Sequence, residues 1–233
     1  SKRLFWGAFL LRVVWVLVSY YLYFQWTDTA FSIGAADEND YHAMGVFGAS
    51  LMRNGDFNIY YDLQMFGGGS DSFSDMGYPI YLSILYYLFY DSILIARVVK
   101  AILSAWTAVL VYKVASRNFD EHTGRMAGVF CMLMPNLIYY CSFQLKEVEM
   151  VFLAMLFVER ADWLLRQPKL KAMQTVAVML IPLALFMIRT ALAATLVAAF
   201  FCALLLSTGR VSGFGKRAVL IVVAGIFTVT MFL

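Results

Sequence analysis

Charge is scarce in this sequence. Only 14% of its 233 residues are Asp, Glu, Lys or Arg, where a soluble domain carries about a quarter. Cysteine is nearly absent: Cys131, Cys141 and Cys202 all fall in apolar runs, without metal-ligand spacing. Free, buried thiols are expected there, and no disulfide framework. The two histidines, His42 and His122, are too few and too far apart for a catalytic dyad. There is no internal repeat, low-complexity tract, Walker loop, Rossmann fingerprint or zinc motif. No basic patch with interleaved aromatics occurs, so nucleic acid is excluded as an expected partner.

What the chain has in abundance is apolar surface. Hydrophobic residues make up 62% of it, and the mean hydropathy is +0.74. Several runs reach the roughly twenty residues needed to cross a bilayer. The first, from Leu4 to Trp26, is too long for a signal-peptide core and has no small-residue cleavage site after it. Seven spans are expected, over 4–26, 93–113, 126–144, 148–165, 173–188, 190–207 and 217–233. Lys2, Arg3, Lys113, Arg117, Arg125, Arg160, Arg166, Lys169, Lys171, Arg210, Lys216 and Arg217 then share one side, which the positive-inside rule makes cytoplasmic. The expected fold is therefore an all-α integral membrane protein, a polytopic bundle of seven transmembrane helices. Its N-terminus is cytoplasmic and membrane lipids surround it. The fourth span is the weakest of the seven, because Glu159, Arg160 and Asp162 lie in its inner half.

The acids concentrate elsewhere. Segment 25–77 holds eight of the fifteen carboxylates, including the run Asp37-Glu38-Asn39-Asp40, against one base, Arg53. A connection that long is usually functional or disordered. Its pattern predicts an interfacial helix from Tyr41 to Arg53, ended by Asn54-Gly55. Gly67-Gly68-Gly69 and Ser70 to Asp75 predict a mobile loop. Gly77-Tyr78-Pro79 opens an apolar piece, Ile80 to Tyr90, too short to span and expected as a half-buried outer helix. The chain is thus read as one module over 1–233, with residues 25–92 as the first outer loop and 93–233 as spans two to seven.

Three groups of residues are able to carry chemistry, and each has a plainer alternative. The Asp37 cluster is either a solvated acidic loop or a set of carboxylates held where a lipid-borne head group would lie. Lys146-Glu147-Val148-Glu149, in the short joint between spans three and four, is either ordinary interfacial flanking or a second set of charges beside Asp37. Arg97, Lys100 and Arg189 sit at outer helix ends, against the positive-inside trend, and so need anions. Those anions are either the acids of the outer loop or a phosphate. Arg97 and Lys100, three apart, share a helical face. Arg12, inside the first span, is expected to pair internally or snorkel. His42 follows Tyr41 and either lines a site or lies on the surface.

These residues, in this order, resemble the GT-C glycosyltransferases, and within them the branch of the protein O-mannosyltransferases and the lipid A aminoarabinose transferase. Asp37-Glu38-Asn39-Asp40-Tyr41 matches the Asp-Glu-x-x-Tyr motif of that family's first outer loop. Gly77-Tyr78-Pro79, Ala96-Arg97, Ala115-Ser116-Arg117, Lys146-Glu147 and Met187-Ile188-Arg189-Thr190 resemble its later elements. The stretch Asp71 to Asp75 departs from the aminoarabinose enzyme's Glu-Lys-Pro, so that enzyme's phosphate-binding lysine does not carry over.

The resemblance implies a seven-span core and a polyprenyl-phosphate-linked sugar as donor, with transfer to an unidentified glycan, lipid or protein acceptor at the outer membrane face. It implies Asp37 as base and Glu147 as second carboxylate. Arg189, Arg97 and Lys146 would bind the donor phosphate, and Glu38, Tyr41 and His42 the acceptor or sugar. Asp37, Glu147 and Glu149 would be the ligands if a magnesium or manganese ion takes part. It places the enzyme in a bacterial inner membrane, and the chain as either the N-terminal part of a longer enzyme or a core lacking the acceptor-binding part. A transporter or flippase of a lipid-linked sugar, or a noncatalytic membrane subunit, stays open as the alternative. Convergence of Asp37 and Glu147 on one cavity separates the enzyme from both.

Overall fold

The computed structural model describes residues 1–34, 36–67, 75–166 and 172–206, with Val222 and Gly225 as isolated positions. The seventh expected span, the loop 68–74 and the joints carrying Lys169, Lys171, Arg210, Lys216 and Arg217 lie outside the described residues. Within them the chain is helical, without strands: α1 (Lys2–Thr27), α2 (Ala36–Arg53), α3 (Tyr60–Phe66), α4 (Gly77–Phe89), α5 (Ile93–Asn118), α6 (Glu121–Leu133), α7 (Pro135–Tyr139), a 3-10 turn (Tyr140–Ser142), α8 (Glu147–Arg166), α9 (Ala172–Ile188) and α10 (Thr190–Leu206).

Among the described residues, two helices are long and apolar enough to cross a membrane, α1 and α5. On α1 the large residues Trp6, Leu10, Val14, Leu17, Tyr21 and Phe24 recur every three or four positions and are each half exposed or more. They form one apolar stripe along the outside of the bundle. The opposite face, with Ala8, Arg12, Val16 and Ser19, is buried.

Helix α5 is the axis against which α1, α6 and α8 pack. Its buried face is built from small residues, among them Ala101, Ser104, Ala105 and Ala108, which let neighbouring backbones approach closely. Phe5 meets Trp106, Arg12 reaches Ser104 and Tyr20 lies under Arg97, so α1 runs antiparallel to α5. Helix α8 runs parallel to it, because Lys100 pairs with Glu149 and Arg117 with Glu159 and Asp162. The seventeen residues from Lys100 to Arg117 separate these two polar ends by roughly 25 Å.

The third expected span, 126–144, is not one helix. Pro135 has no N–H to donate and starts a new short helix, so α6 has only 13 residues. Carbonyls at its end are taken by Arg12, which donates to Met132 O at 3.1 Å and Cys131 O at 3.3 Å. The same guanidinium bonds Ala8 O and, at 2.6 Å, the Ser104 hydroxyl. Arg12 is fully buried and held by helix dipoles and a hydroxyl rather than an acid.

The fourth expected span is a continuous helix, and the charges in its inner half have partners. Arg117 meets Glu159 at 2.7 Å and Asp162 at 3.0 Å; Arg160 meets Glu159 and Arg166 meets Asp162. The fifth and sixth spans, expected over 173–188 and 190–207, correspond to the apolar helices α9 and α10.

Helix α2 begins five residues before the expected start, so the acidic run forms its first turn, where carboxylates oppose the helix dipole favourably. It lies against α4, and a side chain at Gly48 would strike Ser83 there. Arg53 fastens the far ends of the two helices, donating to Asp91 at 3.0 Å and to Tyr86 O at 2.8 Å. The short helix α3 has no counterpart among the expected elements.

Candidate functional site

The first turn of α2 separates its acids by direction. Glu38 points inward and is buried, while Asp37, one position earlier and about 100° around the helix, is exposed. Glu38 is a brace. Its Oε1 accepts from the Gln144 N–H at 2.6 Å, and its Oε2 accepts from the Ser32 hydroxyl at 2.9 Å and the Ser32 N–H at 3.2 Å. Arg97 stands 3.7 Å away, fully buried, and donates to Ala30 O at 2.6 Å. Glu38, expected in the sugar-binding set, and Arg97, expected in the phosphate-binding set, are thus both engaged within the protein. Both hold the first outer segment against the joint before α8.

His42 turns inward as well. Its Nδ1 lies 2.9 Å from the Tyr86 hydroxyl, and its ring packs on Phe31 and Tyr86. Burial lowers its pKa below the usual imidazole value. It serves the α2–α4 contact rather than lining a site.

The other expected residues do meet. Tyr41 lies one turn after Asp37 on the same face of α2, with its ring edge-on to the buried Tyr78 at 5.0 Å. Its phenol pKa is raised first by burial and then by Asp37 and Glu147, with Arg189 opposing. The Lys146 ammonium sits 5.7 Å from the Tyr41 ring centre. Its pKa is lowered by burial and by the neighbouring Arg189, while Glu147 and Asp37 push it back up. Asp37, Glu147, Lys146 and Arg189 therefore share one electrostatic neighbourhood around Tyr41. One Glu147 oxygen, Oε2, is buried with no hydrogen-bond partner among the described residues.

Sequence reasoning gave no role to the residue at the centre of the cations. Asp75 pairs with Lys146, and its Oδ1 is also 3.8 Å from the Arg189 guanidinium. The backbone at Asp75 is left-handed, φ 80°, a conformation that disfavours most side chains and that Asp tolerates better than most. Two bases from two different joints thus converge on one carboxylate. Its only sequence signal is its place two residues before Gly77-Tyr78-Pro79.

Directly below lies a cavity of about 360 Å³ between α4, α5, α8 and α9. Ile80, Leu103, Phe152, Leu153 and Met187 make its walls, with Tyr81 and Glu149 also lining it. Glu149 stands 3.3 Å from Lys100, which also donates to Leu145 O and lies 4.9 Å from the Tyr78 ring centre. Lys100 is thus neutralised inside the protein. Asp37, Glu147 and Glu149 are the set expected for a divalent cation. No three His, Cys, Asp or Glu side chains among the described residues group to hold a metal ion, and Glu149 faces Lys100 instead.

A second cleft opens on the other flank of Asp37. It measures about 320 Å³ and is lined by Asp37, Glu38, Tyr139, Tyr140, Phe143 and Leu145, among others. Set beside known proteins, the chain matches no family model, no curated protein and no solved structure.

Proposed function

We propose that the chain is a membrane glycosyltransferase that takes a sugar from a polyprenyl-phosphate carrier. The observation that carries this reading is the pairing of Lys146 and Arg189 on a single acid above an apolar cavity, with Asp37 beside them. An amphiphile with an anionic head and a hydrocarbon tail suits that combination. Its phosphate takes the place of the Asp75 carboxylate between the two bases, and the first isoprene units enter the cavity below.

The apolar stripe on α1 and the roughly 25 Å between the two charged ends of α5 suit a bilayer's hydrocarbon core. In this reading α1 and α5 are the first two spans, α6 with α7 the third, and α8, α9 and α10 the fourth to sixth, while the seventh expected span lies outside the described residues. Lys2, Arg3 and Arg125 line a common cavity. With Arg117, Arg160 and Arg166 they gather at the end away from Asp37, which the positive-inside rule makes cytoplasmic.

The chemistry is a single displacement. Asp37 accepts the proton of an acceptor hydroxyl, and the oxygen forms a bond to the anomeric carbon with inversion. The bond from that carbon to the phosphate oxygen breaks, and its electron pair leaves with the polyprenyl phosphate. Lys146 and Arg189 stabilise the charge that grows there, an effect strongest in a site shielded from water. Glu147, with an unpaired buried oxygen next to this centre, holds a second acceptor hydroxyl.

A carrier mechanism would draw on the helix break at Pro135, since broken helices expose backbone ends to transported ions. Here the carbonyls of that break are filled by Arg12. The test is to incubate the purified protein in nanodiscs with a panel of polyprenyl-phosphate sugars and measure released carrier phosphate. Release from one donor at least is expected. Movement of intact donor between leaflets, without release from any of them, would reject transfer in favour of transport.

A further inference from the structure

We infer that the cleft beside Asp37 receives a pyranose ring of the acceptor, so that the acceptor is a glycan. This rests on the transfer reading above and names the substrate class of its second half.

The cleft is built for a flat-faced, hydroxyl-bearing ligand. Tyr139, Tyr140 and Phe143 come from α7 and the turn after the Pro135 break, which places three aromatic rings within five residues. Tyr139 and Phe143 have ring centres 4.5 Å apart at 50°, and Tyr139 and Tyr140 are 5.7 Å apart at 78°. Phe143 is buried, while Tyr139 keeps 46% of its surface open. An aromatic face is electron-rich, and the axial C–H groups of a pyranose stack on it while its equatorial hydroxyls point to the rim.

The polar groups of the cleft narrow the ligand further. Glu38 is committed to Ser32 and Gln144 and stands beside Arg97. Asp37 makes no hydrogen bond among the described residues, so one acceptor group remains for a ligand hydroxyl. Aromatic rings with carboxylates also suit a quaternary ammonium head group. With Glu38 offset by Arg97, and Lys146 following cleft-lining Leu145 directly, the local charge favours a neutral ligand instead. The same Leu145-Lys146 step joins the cleft to the phosphate seat. A sugar stacked on Tyr139 thus has a hydroxyl at Asp37, on the side from which the anomeric carbon is attacked. About 320 Å³ falls at the low end of the usual range for small-ligand sites, roughly 300–1,000 Å³.

The experiment is ligand-observed saturation-transfer NMR on the full chain in nanodiscs. The probes are methyl glycosides of mannose, glucose and galactose, the corresponding disaccharides, and choline as rival. Binding of at least one glycoside is expected, with its ring protons saturated most strongly. Tyr139→Ala should weaken that binding about tenfold, and Tyr139→Phe should retain it. Tyr139→Phe keeps the ring contacts with Tyr140 and Phe143 and should leave the melting curve unchanged.

Absence of glycoside binding, equal binding by Tyr139→Ala, or preference for choline would each overturn the inference. Carrier-phosphate release by the wild-type protein, with water as acceptor, is read in parallel. Release without glycoside binding defeats the glycan cleft alone. Glycoside binding without release from any donor defeats the transfer reading and leaves the cleft a carbohydrate site.

Discussion

The two ends of the α5–α8 pair carry similar numbers of charges and arrange them in opposite ways. At one end Arg117, Glu159, Arg160, Asp162 and Arg166 interlock, so every carboxylate there meets two bases. At the other, among the described residues, Glu149 has one base, Lys100; Asp75 sits between Lys146 and Arg189; Asp37 is open; and Glu147 keeps an unpaired buried oxygen. A closed network of charges is a fastening. A charged group left buried without a partner costs free energy, and such groups collect where a ligand completes them.

Substitution breaks this comparison most sharply at the lone pair. Lys100→Met strands the buried Glu149 and should destabilise by about 3–5 kcal/mol. Arg117→Met leaves Glu159 with Arg160 and Asp162 with Arg166, so its cost should be nearer about 1–2 kcal/mol. Unfolding midpoints of the two variants in one detergent, with equal losses, would show that the ends do not differ in redundancy.

Next in size, Arg189→Ala should cut turnover about 10²- to 10³-fold while leaving stability nearly unchanged, because it removes charge stabilisation at an exposed position. An unchanged rate with a lowered melting temperature would make Arg189 a fastening like Arg117. Smaller still, Asp75→Asn should free the anion seat and tighten inorganic phosphate binding about tenfold. Calorimetric titration showing weaker binding would make Asp75 part of the ligand's site rather than its placeholder.

Much of this was legible in the sequence, and what was not has local physical causes. The runs that form α1 and α5 stand out because they are long, apolar and free of acids. Gly77-Tyr78-Pro79 marks the start of α4, since proline is tolerated in a first turn. The meeting of Asp37 with Lys146, Glu147 and Arg189 followed from placing polar joints on one side of an apolar bundle.

The break at Pro135 was hidden because apolar residues continue past it, and hydropathy does not register a missing N–H. The roles of Glu38 and Asp37 differ by one step of helix rotation, which an acidic run lying before the expected helix start at Tyr41 does not reveal. Arg97 looked available because nothing in the sequence shows that Glu38 turns toward it. Asp75 is a long-range partner, seventy-one residues from Lys146, and no periodicity encodes such a pair.

The most direct test of the central claim is single-turnover release of carrier phosphate by the wild-type protein and by Asp37→Asn, using the donor that the panel identifies. Asparagine keeps the size and exposure of the side chain and removes its basicity. Loss of about 10²- to 10⁴-fold in the transfer rate, with donor binding and melting temperature unchanged, is the predicted result. Near-normal transfer by Asp37→Asn would contradict the account.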